Sequence, residues 1–104
     1  MKNNTAPTNL IGLALKGGYA AIGRDSVRAA IHRGKFVYLF LARDAGNAIR
    51  NEMQALSKVQ RVPMTELGSR KSLGQALGRN EVAIVAITDR GLAEAINKAL
   101  RRQV

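Results

Sequence analysis

Two short stretches of this chain are apolar at every position, and they limit what it can fold into. Phe36-Val37-Tyr38-Leu39-Phe40-Leu41-Ala42 and Val82-Ala83-Ile84-Val85-Ala86-Ile87 lack the alternation of a strand with one wet face. Runs of this length, bounded by turn residues, are strands covered on both sides. Elsewhere apolar residues recur at helical spacing. The sets are Leu10, Ile11, Leu13 and Ala14; Val27, Ala30 and Ile31; Ile49, Met53, Leu56 and Val59; Leu73, Ala76 and Leu77; Leu92, Ile96, Ala99 and Leu100. Two weaker strands, at 19–22 and 61–65, complete an alternation of helices and strands. Covered strands between one-faced helices predict an α/β chain, a three-layer α/β/α sandwich.

Local signals set the boundaries. Thr8 or Asn9 is expected to cap the first helix, Asp44 the third, Ser69 the fourth and Asp89 the fifth. Gly17-Gly18 ends the first helix, Gly23 opens the second, and Gly34 and Gly78 are left-handed stops. Pro63 places its short strand at an edge or makes it a strand start. Residues 1–8 form the predicted flexible N-terminal tail, and residues 9–104 a predicted single α/β/α domain.

Charge points to the partner. Seventeen Lys and Arg oppose seven Asp and Glu, giving a formal net charge of +10. Such a domain is drawn to polyanions, because releasing condensed counterions from nucleic acid supplies affinity. Tyr19, Phe36, Tyr38 and Phe40 are the whole aromatic supply. That argues for an aliphatic core and against a sheet-face stacking platform. The absence of Cys excludes a disulfide framework, a thiolate metal site and a Cys nucleophile, and fits a reducing cytoplasm. The longest apolar run is too short to cross a bilayer, and no secretory apolar stretch stands at the N-terminus. The expectation is a cytoplasmic protein with no membrane, small-molecule substrate or cofactor.

Signals for catalysis are poor. His32 is the lone histidine and has no ligand-spaced neighbour. Ser26, Ser57, Ser69 and Ser72 lack a base and an orienting partner. Asp25, Asp44, Glu66 and Asp89 sit beside expected helix starts, where capping explains them. Gly68-Ser69-Arg70-Lys71-Ser72 lacks phosphate-loop spacing. No catalytic or metal site is expected.

Signals for binding are stronger. Arg24, Arg28, His32 and Lys35 follow one side of the second helix. Gly23 leaves its first amides open to a phosphate. Ala42-Arg43-Asp44-Ala45-Gly46 and Leu67-Gly68-Ser69-Arg70-Lys71 are further strand-to-helix loops, which in layered α/β folds gather along one edge.

In order, the segments from Gly23 to Lys35, Leu39 to Ala45, Val62-Pro63, Leu73-Gly74-Gln75-Ala76-Leu77-Gly78 and Val85 to Asp89 resemble the ribosomal protein L7Ae family of kink-turn RNA binders, in its small bacterial YlxQ-like branch. The likeness covers roughly residues 9–100. It implies a small mixed sheet and RNA binding without a cofactor, with a helix N-terminus and neighbouring loops docked on bent RNA. The family's signature is glycine, a small residue, asparagine, glutamate, then a lysine three residues on. Gly23 matches; Arg24, Asp25, Ser26 and Ala29 stand at the other places, and Ile22 replaces a basic residue before the glycine. An ionised Asp accepts hydrogen bonds but donates none, unlike Asn.

The expected function is therefore non-catalytic binding of structured RNA, kink-turn-like and ribosome-associated, with ribosomal RNA as a candidate partner. The expected RNA-binding residues are Gly23, Arg24, Asp25, Ser26, Arg28, Arg43, Leu67, Gly68, Ser69, Arg70 and Lys71, with Leu67 against a splayed base. The alternative is an interaction or accessory module of an RNA-modification or processing complex that kept the fold but lost kink-turn specificity. With about four to six phosphate contacts, the plot of log affinity against log salt should slope by roughly −3 to −5. Binding measured across a salt series checks this, and a flat dependence contradicts it.

Overall fold

Both all-apolar stretches form the inner strands of a four-stranded sheet. The structure, a computed structural model, describes residues 6–102. The order is α1 (Pro7–Lys16), β1 (Ala20–Ile22), α2 (Arg24–His32), β2 (Tyr38–Leu41), α3 (Asn47–Gln60), β3 (Met64–Glu66), α4 (Arg70–Leu77), β4 (Ile84–Ile87) and α5 (Arg90–Arg102). The strands lie in the order β1-β4-β2-β3. β4 runs antiparallel to both β1 and β2, whereas β2 and β3 are parallel, so the sheet is mixed.

The helices cover both faces of this sheet. α1 packs against α4 and α5, and α2 packs on β1 and β4. Leu39, Phe40, Leu41, Ile84, Val85, Ala86 and Ile87 are buried, as expected of strands covered on both sides. Ile11, Val27, Met53, Leu73 and Ile96 bring the helix faces to them. Tyr38 and Phe40 stack with ring centroids 4.9 Å apart, and the Tyr38 hydroxyl is 2.6 Å from Thr65 Oγ1, tying β2 to β3. Among the described residues no helix is long and apolar enough to cross a membrane.

Several local expectations hold. Gly17 caps the end of α1. Gly34 and Gly78 have φ of 72° after α2 and α4. Ser69 caps α4 in a reciprocal pair with Ser72, and Asp89 Oδ2 accepts the Leu92 amide at 2.9 Å. β3 is an edge strand, starting one residue after Pro63, whose carbonyl accepts the Leu39 amide.

Others are corrected. α1 begins at Pro7, which is buried, behind an Ala6 cap that offers no side chain. Thr8 and Asn9 therefore lie inside the helix rather than capping it, because proline is pre-set for the first helical position. Residues 1–5 of the expected tail lie outside the described residues. α3 begins after Gly46 instead of at Asp44, and Val59 is 75% exposed rather than inward.

Gly74 is the tightest helix contact. A Cβ there would lie 2.5 Å from the Asn80 carbonyl oxygen and 2.7 Å from that of Arg79. Those atoms belong to the turn entering β4, which the Arg79 amide fastens to the Gly74 carbonyl at 2.7 Å. Gly74→Ala gains helix propensity of up to about 1 kcal/mol but must push backbone apart, which costs about 1–3 kcal/mol. Denaturant unfolding should show net destabilisation; equal or raised stability would mean that the turn yields freely.

Candidate nucleic-acid interface

Because β4 alone is reversed, the C-terminal ends of β1, β2 and β3 meet the start of β4 on one rim. The pairs Ile22↔Val85, Leu41↔Ile84 and Leu41↔Glu66 place these ends side by side. Backbone bonds then join the loops that leave them. Gly23 N–H donates to Ile84 O at 3.1 Å, Ala42 N–H to Ala83 O at 2.8 Å, Arg43 N–H to Gly68 O at 2.9 Å and Val82 N–H to Arg70 O at 3.0 Å. Gly23, Arg43 and Ser69, 46 positions apart at the extremes, thus share one edge.

The two helix starts on this rim are chemically different. Gly23, at φ 88°, caps α2 without a side chain, and Val27 is the first residue to bond back to it. The Arg24, Asp25 and Ser26 amides are therefore left open at the positive end of the helix dipole. The start of α4 is closed. Ser69 Oγ accepts the Ser72 amide at 3.0 Å, Ser72 Oγ accepts the Ser69 amide at 2.9 Å, and Asp44 Oδ1 accepts the Arg70 amide at 2.7 Å. Asp44 was expected to cap its own helix; it caps one that lies 26 positions away. The Arg70 backbone N–H, helped by its guanidinium, holds the Asp44 carboxyl below its ordinary value.

Most arginines of the rim already hold a carboxylate. Arg24 and Arg28 both reach Glu52 of α3, with Arg24 Nε 3.1 Å from Oε1. Arg50 pairs with Glu66 and donates to the Arg43 carbonyl at 2.8 Å. Arg70 lies between Asp44 and Glu81, at 3.6 and 3.9 Å. Exposed pairs of this kind add little stability, but they fix where the guanidinium groups point. Arg43, Lys71 and Arg79 are exposed and make no ion pair among the described residues.

Of the residues expected to bind RNA, ten lie on the surface of this rim in whole or part: Gly23, Arg24, Asp25, Ser26, Arg28, Arg43, Gly68, Ser69, Arg70 and Lys71. Leu67 does not. It is 1% exposed and packed in the core, so it offers a base nothing to touch. The first residue after β3 still packs inward, which a loop reading hides. A depression lined by both apolar and charged residues exists elsewhere on the rim. It holds about 360 Å³ between Ile22, Gly23, Ile49, Val82 and Ile84, with Arg24, Arg79 and Glu81 at its walls. Arg79 was missed because it meets Gly23 only in three dimensions, across this depression.

The profile of the ribosomal protein L7Ae/L30e/S12e/Gadd45 family matches residues 6–97. The chain belongs to this family. It is 30% identical over 92 residues to the RNA-binding protein YlxQ of Enterococcus faecium, covering 88% of each chain. It is 28% identical over 87 residues to the RNA-binding protein YlxQ of Bacillus subtilis, covering 84% of this chain and 87% of the relative. In fold it is similar to a Bacillus halodurans protein of unknown function, with a TM-score of 0.82 and 23% identity over 91% of this chain and 96% of the other. It is also similar to the Giardia lamblia 15.5kD RNA binding protein, with a TM-score of 0.71 and 19% identity over 91% and 82%.

The Asp44 bond titrates with a defined sign. A carboxylate held below its ordinary value supports the fold at neutral pH, and that support is lost as pH falls through the lowered value. In an NMR titration downward from pH 6, the Arg70 amide should keep its bonded shift to below the ordinary carboxylate range and then move. Asp44→Asn should abolish the step. A step in the ordinary range would deny the bond.

Proposed function

We propose that this protein is a non-catalytic binder of structured RNA that docks a bent RNA element on the rim beyond β1, β2 and β3. The observation that carries the reading is the uncapped start of α2 at Gly23, with Arg24 and Arg79 beside it and Arg28 and Arg43 on the same rim. Open amides and guanidinium forks are suited to phosphate oxygens. The family to which the chain belongs, and the RNA-binding relatives at 28–30% identity, support the same reading.

The contacts divide by chemistry. Arg24, Arg28, Arg43, Arg70 and Lys71 position the backbone, while Gly23, Asp25 and Ser26 form the helix start that meets base edges. Asp25 accepts hydrogen bonds from base amino groups. The depression with Ile22, Ile49 and Val82 on its floor and Arg24, Arg79 and Glu81 around it suits an unstacked base, and unpaired bases are where RNA sequence is read. Arg79 supplies the charge that Ala29 lacks. A kink-turn-like partner, ribosomal RNA association and action in the cytoplasm belong to this proposal.

A second reading rests on the carboxylates that hold the rim arginines and on Asp25, Ser26 and Ala29. It is an accessory module that binds another protein of an RNA-processing complex. A partner retained in a pulldown after RNase treatment would favour it.

Arg24→Gln/Arg28→Gln should weaken binding of a kink-turn hairpin at least about tenfold, as expected for the loss of one or two charged contacts. Glu52→Gln should act oppositely, because it releases both guanidinium groups and removes a negative charge. Anisotropy with the hairpin, and with a straight duplex of equal length and charge, measures both effects. Equal affinity for the two RNAs would reduce the reading to general polyanion attraction. Unchanged binding by the double variant would remove α2 from the site.

A further inference from the structure

A group of cations without ion pairs among the described residues lies away from the rim. β1, β2 and β3 begin, and β4 ends, at the opposite pole of the sheet. The segments entering or leaving them there carry Lys16, Arg33, Lys35, Lys58, Arg61 and Arg90, all exposed. None of these six makes an ion pair among the described residues. The nearby acids are Asp89, whose carboxylate is committed to the Leu92 amide, and Glu94, one turn into α5.

The same pole presents aromatic surface. The Thr88 amide donates to the Tyr19 carbonyl at 2.9 Å, setting Tyr19 beside the end of β4 with 44% of its surface exposed. The Arg90 guanidinium lies 4.6 Å above the Phe36 ring centroid. Beyond it, Lys35, Phe36, Arg61 and Pro63 border a cleft of about 340 Å³. Following the strand order, the edge presents Tyr19, then Arg90 over Phe36, then Lys35 and Arg61. Arg61 is the one non-glycine residue at positive φ among the described residues, at 57°. Glycine holds that conformation just after α2 and at the end of α4, so α3 keeps a cation where the backbone favours none.

We propose that this pole is a second RNA-contacting surface that takes a single-stranded segment flanking the folded element docked at the rim. The proposal rests on the RNA-binding reading above. Free cations spaced along an edge track a phosphodiester backbone, and the Tyr19 ring and the Arg90 guanidinium plane provide faces on which unpaired bases stack. An acidic protein segment would use the charge but would leave those stacking faces idle.

The test uses an oligouridylate of about ten nucleotides, a length within the range of single-strand sites, and a kink-turn hairpin without an extension. Lys35→Glu/Arg90→Glu should weaken oligouridylate binding at least tenfold and flatten its salt slope by about 1.5. It should leave hairpin affinity within threefold. Position 90 is in the first turn of α5, where glutamate suits the helix dipole, and circular dichroism checks the fold. Lys98→Glu/Arg101→Glu, with the same change in net charge, should weaken oligouridylate far less. A 4-thiouridine oligonucleotide should crosslink at Tyr19 or Phe36.

Unchanged oligouridylate binding by the Lys35/Arg90 variant, equal loss in the Lys98/Arg101 variant, or crosslinks confined to the rim would overturn the second surface while leaving the rim reading intact. Tighter binding of polyglutamate than of oligouridylate would also overturn it, in favour of an acidic protein partner. Wild-type protein that ignores the hairpin yet binds oligouridylate at Tyr19 would sink the rim reading and support this surface.

Discussion

The antiparallel insertion of β4 between β1 and β2 is the constraint on which the rest of the molecule depends. The two wholly apolar strands sit side by side at the centre of the sheet, where neither leaves a wet face. Once β4 runs against both neighbours, three strand ends and the turn after α4 are forced onto one rim. The loops there are held to one another by backbone bonds, so the open start of α2 is presented by a rigid edge. Gly74 completes the arrangement by admitting the Arg79–Asn80 backbone to a distance that any side chain would forbid.

Charge on this protein is sorted between two ends. On the rim, Glu52, Glu66, Asp44 and Glu81 orient arginines at the cost of part of their field. That combination suits recognition in which direction matters more than attraction, since fixed guanidinium forks match phosphate geometry. At the opposite pole the cations make no ion pair among the described residues, which suits attraction with loose geometry. A high net charge in a sequence therefore says that a polyanion is a plausible partner, and says nothing about which face meets it.

The likeness that placed the chain in its family also located the rim, since it followed the strand-to-helix loops. It failed at Leu67, which directly follows β3 and still packs into the core. The local capping reading failed in a different way at Asp44. The expected capping chemistry is present, but the amide that it meets belongs to α4 and not to α3. Both errors came from treating a loop as if its residues answered only to their chain neighbours. Arg79 and Glu52 carried no local signal, because their relevance arises from α4 and α2 being brought beside them.

The elements, most of their ends and the sandwich class were legible in the sequence itself. Hydrophobic period and turn chemistry act over a few residues and do not need the rest of the fold. Strand order, the carboxylate assigned to each arginine, the burial of Leu67 and the division of charge between two poles were decided only in three dimensions. Each depends on which distant segments become neighbours. Arg28 and Glu52 are separated by 24 positions, and Asp44 and Arg70 by 26. The pairing of strands that closes those separations follows from burial of the whole core, which no local stretch of chain encodes.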